Sequence, residues 1–398
     1  MEHADTRREW LTRCGAVTTG LSLIGGCLDD VGTPVGNGSD DASTSDDWRM
    51  YGGDLQHTGY RSGMQGPTGD SVEAEPMVEF EQPGESGPTL VDGTLYFNTG
   101  DGYVYAIDLE SGEQVWRYDL ENAGYWGPTV HDGVVYTTFQ HKLFAIDAAE
   151  GELIWEREVL SSSVRGRLYS PRPTDDGLIV QGGNELHRVE YEAGDVTSLA
   201  ELDDGWTNSL SAVPAIDDDA AYLASDETVY AIDLATGDVR WEFQNEEAID
   251  LRDYDPVVVD GTVFVGPYAL DIANGSKRWE LEAGTPHNPS PSVDGEHAYY
   301  NVAGTWLAAD VTTGETEWTV DVNPDPRGAK PVVTDDLVYF CRGLDLAAIE
   351  TDSGTVRWEY YTDDVDISFW NPFVVSDGAL YALSSGGTCY AFTSPTEE

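Results

Sequence analysis

The sequence is poor in lysine, in cysteine and in positive charge of any kind. Only three of its twenty basic residues are Lys, against seventy-four Asp and Glu, and the formal net charge is −54 over 398 residues. Nucleic acid binds through a basic surface, so this balance excludes it as a partner. The cysteines are Cys14, Cys27, Cys341 and Cys389, and no two are adjacent. An uncharged stretch near the N-terminus, Cys14 to Gly26, falls short of the roughly 20 residues that cross a bilayer as a helix. The histidines are scattered, without a pair at metal-ligand spacing, a Ser-His-Asp order or a phosphate-cradling Gly loop nearby. Acidic runs such as Asp217 to Asp219 read as solvated turns in so acidic a chain.

Apolar residues make up 40% of the chain and aromatics 11%, ample for a core. A disordered acidic chain would lack such periodic tryptophan, tyrosine and valine. Mutual repulsion at −54 destabilises the compact state in dilute buffer. At molar salt the screening length falls to about 3 Å and most of that repulsion disappears. An acidic, Lys-poor, aromatic-rich chain therefore reads as one adapted to high salt.

Residues 1–26 read as a signal peptide. Thr6-Arg7-Arg8-Glu9-Trp10-Leu11 resembles the twin-arginine export signal, with Arg7 and Arg8 as its pair. Ile24-Gly25-Gly26-Cys27 resembles a lipobox, in which the Cys27 thiol takes up the lipid. The expected product is anchored through Cys27 at the outer face of the cytoplasmic membrane, with stable anchoring requiring two chains. Residues 27–47 are Gly, Ser, Thr and Asp with few apolar positions and read as an acidic flexible tether. Removal of residues 1–26 takes three acids and three arginines, so the charge stays at −54. Cys341 and Cys389 are then the remaining thiols, either paired or buried and free.

From residue 48 onward the chain repeats. Ala106, Asp108, Gly112 and Trp116 stand at offsets 0, 2, 6 and 10. The same offsets recur up to Trp155, Trp241, Trp279 and Trp318, and once more up to Trp358 with Glu350 in the acid position. Each copy follows a proline and an alternating run that turns at Asp-Gly, as in "GPTLVDGTLYF" at 87. Period-2 alternation broken at two glycine turns predicts four short antiparallel strands per unit, at the spacing of a propeller blade. Eight starts are countable. The third unit has Ser198 where Trp belongs, which leaves seven blades open if that unit is distorted. The eighth lacks a fourth strand, and "EPMVEFEQ" at 75–82 supplies one from the N-terminal side. The fold class expected for 48–398 is an all-β, eight-bladed propeller closed by an N-terminal strand.

The Ala-x-Asp-x-x-x-Gly-x-x-x-Trp pattern resembles the docking motif of the PQQ (pyrroloquinoline-quinone) propeller repeat. "WRMYGGDLQHTGY" at 48–60 is similar to that family's lead-in. The family includes quinone-dependent dehydrogenases and the non-enzymatic outer-membrane assembly factor BamB. The resemblance implies that Trp116, Trp155, Trp241, Trp279, Trp318 and Trp358 dock neighbouring blades and are scaffold. Function is then expected in the parts that do not repeat. The links between blades carry Trp126, Arg165, Arg167, Trp206, Asn208, Arg252, Tyr254, His287, Asn288, Arg327, Lys330, Trp370 and Asn371 toward one face. A basic and aromatic mouth on so acidic a chain suits a protein or a small anionic ligand. The same residues also serve as local counter-charges and plugs in the structural reading. The function expected is a binding or scaffold module, monomeric, touching the membrane through its lipid anchor only, with no catalytic residue, metal or cofactor assigned. The alternatives are a structural surface spacer, or a quinoprotein dehydrogenase with PQQ and Ca²⁺. The resemblance implies adjacent cysteines for the latter, which this chain lacks.

Overall fold

The computed structural model describes residues 47–80, 82, 86–121, 126–161, 166–202, 213–246, 249–252, 254–286, 290–321, 330–342, 345–361 and 373–395. These form eight four-stranded antiparallel sheets, and there is no helix among the described residues. Blade 1 is Thr89–Val91, Thr94–Asn98, Tyr103–Asp108 and Gln114–Asp119, paired in that order and named strands A to D here. The A strands of neighbouring blades touch one another and are buried, so they line the axis. The D strands are mostly exposed, with the docking tryptophan as their one buried residue in blades 1, 2 and 4, and form the rim. The third unit is a complete blade, Arg172–Thr174, Gly177–Gly182, Glu185–Val189 and Val196–Glu201, which settles the count at eight.

The ring closes as the repeat count requires, with a shifted boundary. Glu73–Glu79 pairs antiparallel with Thr388–Thr393 as the outer strand of blade 8. The strand begins two residues before the expected 75. Pro76, which has no N–H to donate, falls at a bulge on this edge position, where its cost is small. Cys389 in the neighbouring strand is a free, buried thiol, and burial pushes it up to about 12, which disfavours the thiolate.

Each residue of the repeated motif has a separate task. Ala106 lies directly across from Trp116, and a bulge follows it; the same pairing recurs at Ala145, Ala231, Ala269, Ala308 and Ala348. A small residue there leaves the indole room to lean toward the next blade. The Trp116 indole N–H donates to the Ala148 carbonyl of blade 2 at 2.8 Å. Gly151 of that blade has positive φ, and a Cβ on it would sit 2.6 Å from the Trp116 ring. Glycine is thus required twice over, by conformation and by contact. The motif acid closes the turn, as when Asp310 accepts the Thr312 and Thr313 N–H groups.

Blade 3 solves the missing tryptophan differently. Where other blades use an indole N–H, the Arg188 guanidinium donates to the equivalent carbonyl of blade 4, Leu234, at 2.8 Å. Arg188 occupies the motif position that is alanine elsewhere, but it pairs with Thr197, because the bulge is shifted and Ser198 lies across from His187. The blades also approach more closely: a Cβ at Gly237 would lie 1.9 Å from the Leu199 carbonyl oxygen.

Residues 48–65 thread the axis. The second residue after the blade-opening proline donates its N–H inward in six blades. Leu90, Val130, Ile216, Val258, Val293 and Val333 reach the carbonyls of Trp48, Arg49, Leu55, Gln56, Thr58 and Gly59 at 2.8 to 2.9 Å. The lead-in therefore visits the blades in chain order. In blade 3 the donor position is Pro173, which has no N–H. There the neighbouring Arg172 side chain donates instead, to the carbonyls of Tyr51 and Asp54. Blade 8 completes the circuit through Gly378 N–H to the Gln65 carbonyl at 2.8 Å.

Candidate functional site

The polar chemistry at the axis comes from two register positions. Asp255 and Lys330 stand immediately before a blade-opening proline, and Arg172 immediately after one. Strand alternation puts these flanking positions on one side and the inward N–H donors on the other. Blades 3, 5 and 7 thus project charge into a space the lead-in fills with Tyr51 and His57.

The contacts are specific. The Tyr51 hydroxyl donates to Asp255 Oδ2 at 3.1 Å, and the Val213 N–H to Oδ1 at 2.8 Å. The Lys330 ammonium donates to the His57 carbonyl. His57 is fully buried, edge-on to Tyr51 at 5.1 Å between ring centroids. The carbonyls of Pro256 and Tyr51 face its ring, but neither ring nitrogen meets a partner at hydrogen-bond geometry. Gly52 is required beside it, since a Cβ there would lie 2.0 Å from His57 Cδ2. Trp126 stands edge-on to Tyr51 at 6.1 Å and 4.7 Å from Tyr169, its indole N–H buried without an acceptor.

Burial dominates the electrostatics of this cluster. It pushes the Asp255 carboxyl up to about 6, against the pull of Lys330, the Val213 N–H, Tyr51 and Arg172. It brings the Lys330 ammonium down to about 8, with Asp255 and Asp54 opposing and Arg172 assisting. Arg172 falls to about 10 for the same reason, with Asp54, Asp255 and Tyr51 opposing. His57 is held well below its usual range by burial, then by the charges of Arg172 and Lys330. The imidazole is therefore neutral at pH 7, between two cations and two carboxylates.

The sequence-predicted residues divide. Trp126 and Lys330 belong to the axial cluster. Arg167 is exposed on the link between blades 2 and 3. Arg252 grips Asp250 with its guanidinium, Nε to Oδ1 at 2.9 Å, a local counter-charge. Tyr254 is buried and donates to the Pro286 carbonyl at 2.6 Å, a packing role. Arg165, Trp206, Asn208, His287, Asn288, Arg327, Trp370 and Asn371 lie outside the described residues, as do Arg7, Arg8 and Cys27. Sequence reasoning missed Tyr51, His57, Arg172 and Asp255. A charged residue touching a blade-opening proline was the available signal.

The described donors do not fit a Ca²⁺–quinone site. The carboxylate nearest the axis, Asp255, is committed to Tyr51 and the Val213 N–H and lies in the field of two cations. No group of three or more His, Cys, Asp or Glu side chains stands at metal-binding spacing among the described residues. Calcium takes six to eight oxygens, and this cluster offers nothing close to that.

Comparison with known proteins places the chain. The family model described as outer membrane protein assembly factor BamB matches residues 100–320 and again 255–398. A second, described as the β-propeller domain of glucose/ethanol/alcohol dehydrogenases, matches residues 64–125. The serine/threonine-protein kinase AfsK of Streptomyces griseus is 31% identical over 185 residues, 44% of this chain and 22% of that protein. The 1-butanol dehydrogenase (cytochrome c) of Thauera butanivorans is 31% identical over 131 residues, 29% of this chain and 19% of that protein. The chain thus spans about a fifth of the length of these relatives. The crystal structure of BamB from Moraxella catarrhalis superposes with a TM-score of 0.65 at 18% identity, covering 81% of this chain and 98% of that one. That likeness shows the fold alone. With the first model covering most of the propeller, the chain belongs to the BamB-type family of PQQ-repeat β-propellers.

Proposed function

We propose that this propeller is an exported, lipid-anchored recognition scaffold that binds a protein or an anionic ligand through the face formed by its interblade links. The observation that carries the reading is where the lead-in enters. Asp47 Oδ1 accepts the N–H of Asp92, in the A–B turn of blade 1. Strand A runs from the interblade link to that turn, so the two lie at opposite ends of the blade. Attachment through Cys27 would then enter at the turn end, opposite the interblade links. Repeats supply rigidity, and non-repeating links supply chemistry, including the exposed Arg167. The relatives named assembly factor are consistent with a protein partner.

A photo-crosslinking amino acid at position 167, on the link end, tests this against one at Ser111, exposed in the C–D turn of blade 1 at the other end. The expected result in intact cells is a discrete adduct from 167 and none from 111. Equal labelling from both ends removes the assigned face, and labelling from neither favours a structural spacer. The dehydrogenase reading is favoured by the butanol dehydrogenase relative and opposed by the axial donor set. Saturable one-to-one binding of PQQ with Ca²⁺, followed by tryptophan quenching, would reinstate it.

A further inference from the structure

The seam between blades 2 and 3 differs from every other described seam. At four other seams the docking indole donates to the residue after the motif acid of the next blade, Ala148, Ile272, Val311 and Thr351, while Trp358 donates to Pro67 of the lead-in. Between blades 2 and 3 the acceptor is the carbonyl of Tyr191, at 2.8 Å from the Trp155 indole nitrogen. An aromatic ring thus stands where other seams carry small or aliphatic side chains. Tyr191 lies 5.9 Å from Tyr136 and is stacked at 5.0 Å on His131, while Tyr136 lies 6.0 Å from Trp155. These rings line one side of a pocket of about 290 Å³, with Asp132 and Glu192 exposed at its edge.

No Lys or Arg lines the pocket, although the Arg157 guanidinium stands beside it, 6.0 Å from the Trp155 ring centroid and donating to the Ala193 carbonyl. Arg240, Arg278 and Arg357, each one residue before the docking tryptophan, clasp the motif acid of blades 4, 5 and 7 at 2.6 to 2.8 Å. In blade 2 that position is Ile154, 51% exposed and part of the pocket wall. The pocket therefore combines aromatic side chains, an apolar wall and two carboxylates, of which Asp132 lies 3.5 Å from the His131 ring nitrogen.

We infer that this pocket binds a monovalent organic cation with a quaternary-ammonium head. Aromatic faces attract such cations through the ring quadrupole, and their weak hydration makes desolvation cheap. A strongly hydrated metal ion gains little from these faces, and an anion meets Asp132 and Glu192. The volume lies at the small end of ligand sites and suits a head group rather than a large ligand. Both turns that build the pocket belong to the end opposite the interblade links, so the inference is independent of the face assigned above. The head group is carried either by a soluble molecule or by a lipid.

The test is calorimetric titration of the full chain in molar KCl with tetramethylammonium, and with 3,3-dimethylbutan-1-ol as a neutral analogue of matching shape. Saturable binding of tetramethylammonium, at least about tenfold tighter than the alcohol, is expected. Tyr191→Leu, which restores the aliphatic side chain seen at neighbouring seams, should weaken it about tenfold or more. Ile154→Arg, which by analogy with Arg240 sets a guanidinium on Asp147 beside the pocket, should weaken it too, while unchanged melting temperatures show that both variants fold. Equal binding of the alcohol, binding unaffected by both substitutions, or no saturable binding by the folded wild type overturns the proposal. Given binding, Tyr191-dependent sedimentation with phosphatidylcholine vesicles assigns the head group to lipid, and its absence to a soluble cation.

Discussion

Asp255 shows what a buried carboxylate does in a chain that has carboxylates to spare. Two of its acceptor positions are used by Tyr51 and the Val213 N–H, and Lys330 and Arg172 supply the opposing charge. Asp255→Asn keeps one oxygen acceptor and removes a carboxylate whose ionised form burial already penalises, so a loss of about 1–3 kcal/mol, from one hydrogen bond left unmade, is expected at pH 7. The pH dependence gives the sharper check. The folded carboxyl titrates at about 6 against an ordinary 3.8, so the folded chain holds this proton more tightly than the unfolded one. Its stabilising contribution is full below about pH 4, is lost as pH rises through 6, and is absent at pH 7. Asparagine has no such term. In denaturant titrations at 2 M KCl, wild type should gain on the variant by up to about 3 kcal/mol as pH falls from 7 to 4. A gap that stays flat or narrows would show that the carboxyl is not raised.

At the level of the blade, Arg188 and Ser198 form a unit that replaces the Ala–Trp pair of the other seams. Ser198→Trp alone should destabilise, because Ser198 lies across from the buried His187 and an indole there is overpacked, with a cost of about 1–3 kcal/mol. Arg188→Ala alone should also destabilise, by removing the charged donor to the Leu234 carbonyl. The double substitution rebuilds the repeat and should recover most of the loss, a coupling that thermal melts of all four proteins would measure. Simple additivity would mean that the two positions do not substitute for the motif. Blades, turns and docking tryptophans were legible in the sequence because each motif residue makes the same contact at each copy, and periodic contacts leave periodic residues. The compensation by Arg188 was hidden because it crosses from one strand to another and occurs once. The axial cluster was hidden for a related reason. Asp255, Lys330 and Arg172 lie up to 158 positions apart in the numbering and meet only when the ring closes. Lys330 was visible as a rare lysine, whereas Tyr51 and His57 belong to a lead-in whose path round the axis no local pattern announces.

For the molecule as a whole, charge outweighs any single contact. Even if every Lys and Arg neutralised one acid, the excess would remain −54. The arginine clasps hold Asp233 and Asp271 below their usual range, and the Ser353 hydroxyl with Arg357 does so for Glu350, but such contacts reach few of the seventy-four. Carboxylates on neighbouring turns repel across distances comparable to the screening length of about 10 Å at 0.1 M salt, and much less at about 3 Å in 1 M. The melting temperature at pH 7.5 should therefore climb steeply between 0.1 and 2 M KCl. The cause can be separated from a general effect of salt on apolar burial by repeating the series at pH 4.5, where a large share of the carboxylates is protonated. Repulsion predicts a much shallower slope there and a higher melting temperature at low salt. An equally steep slope at both pH values would mean that salt acts on burial instead, and that the acidic surface is no adaptation to salt.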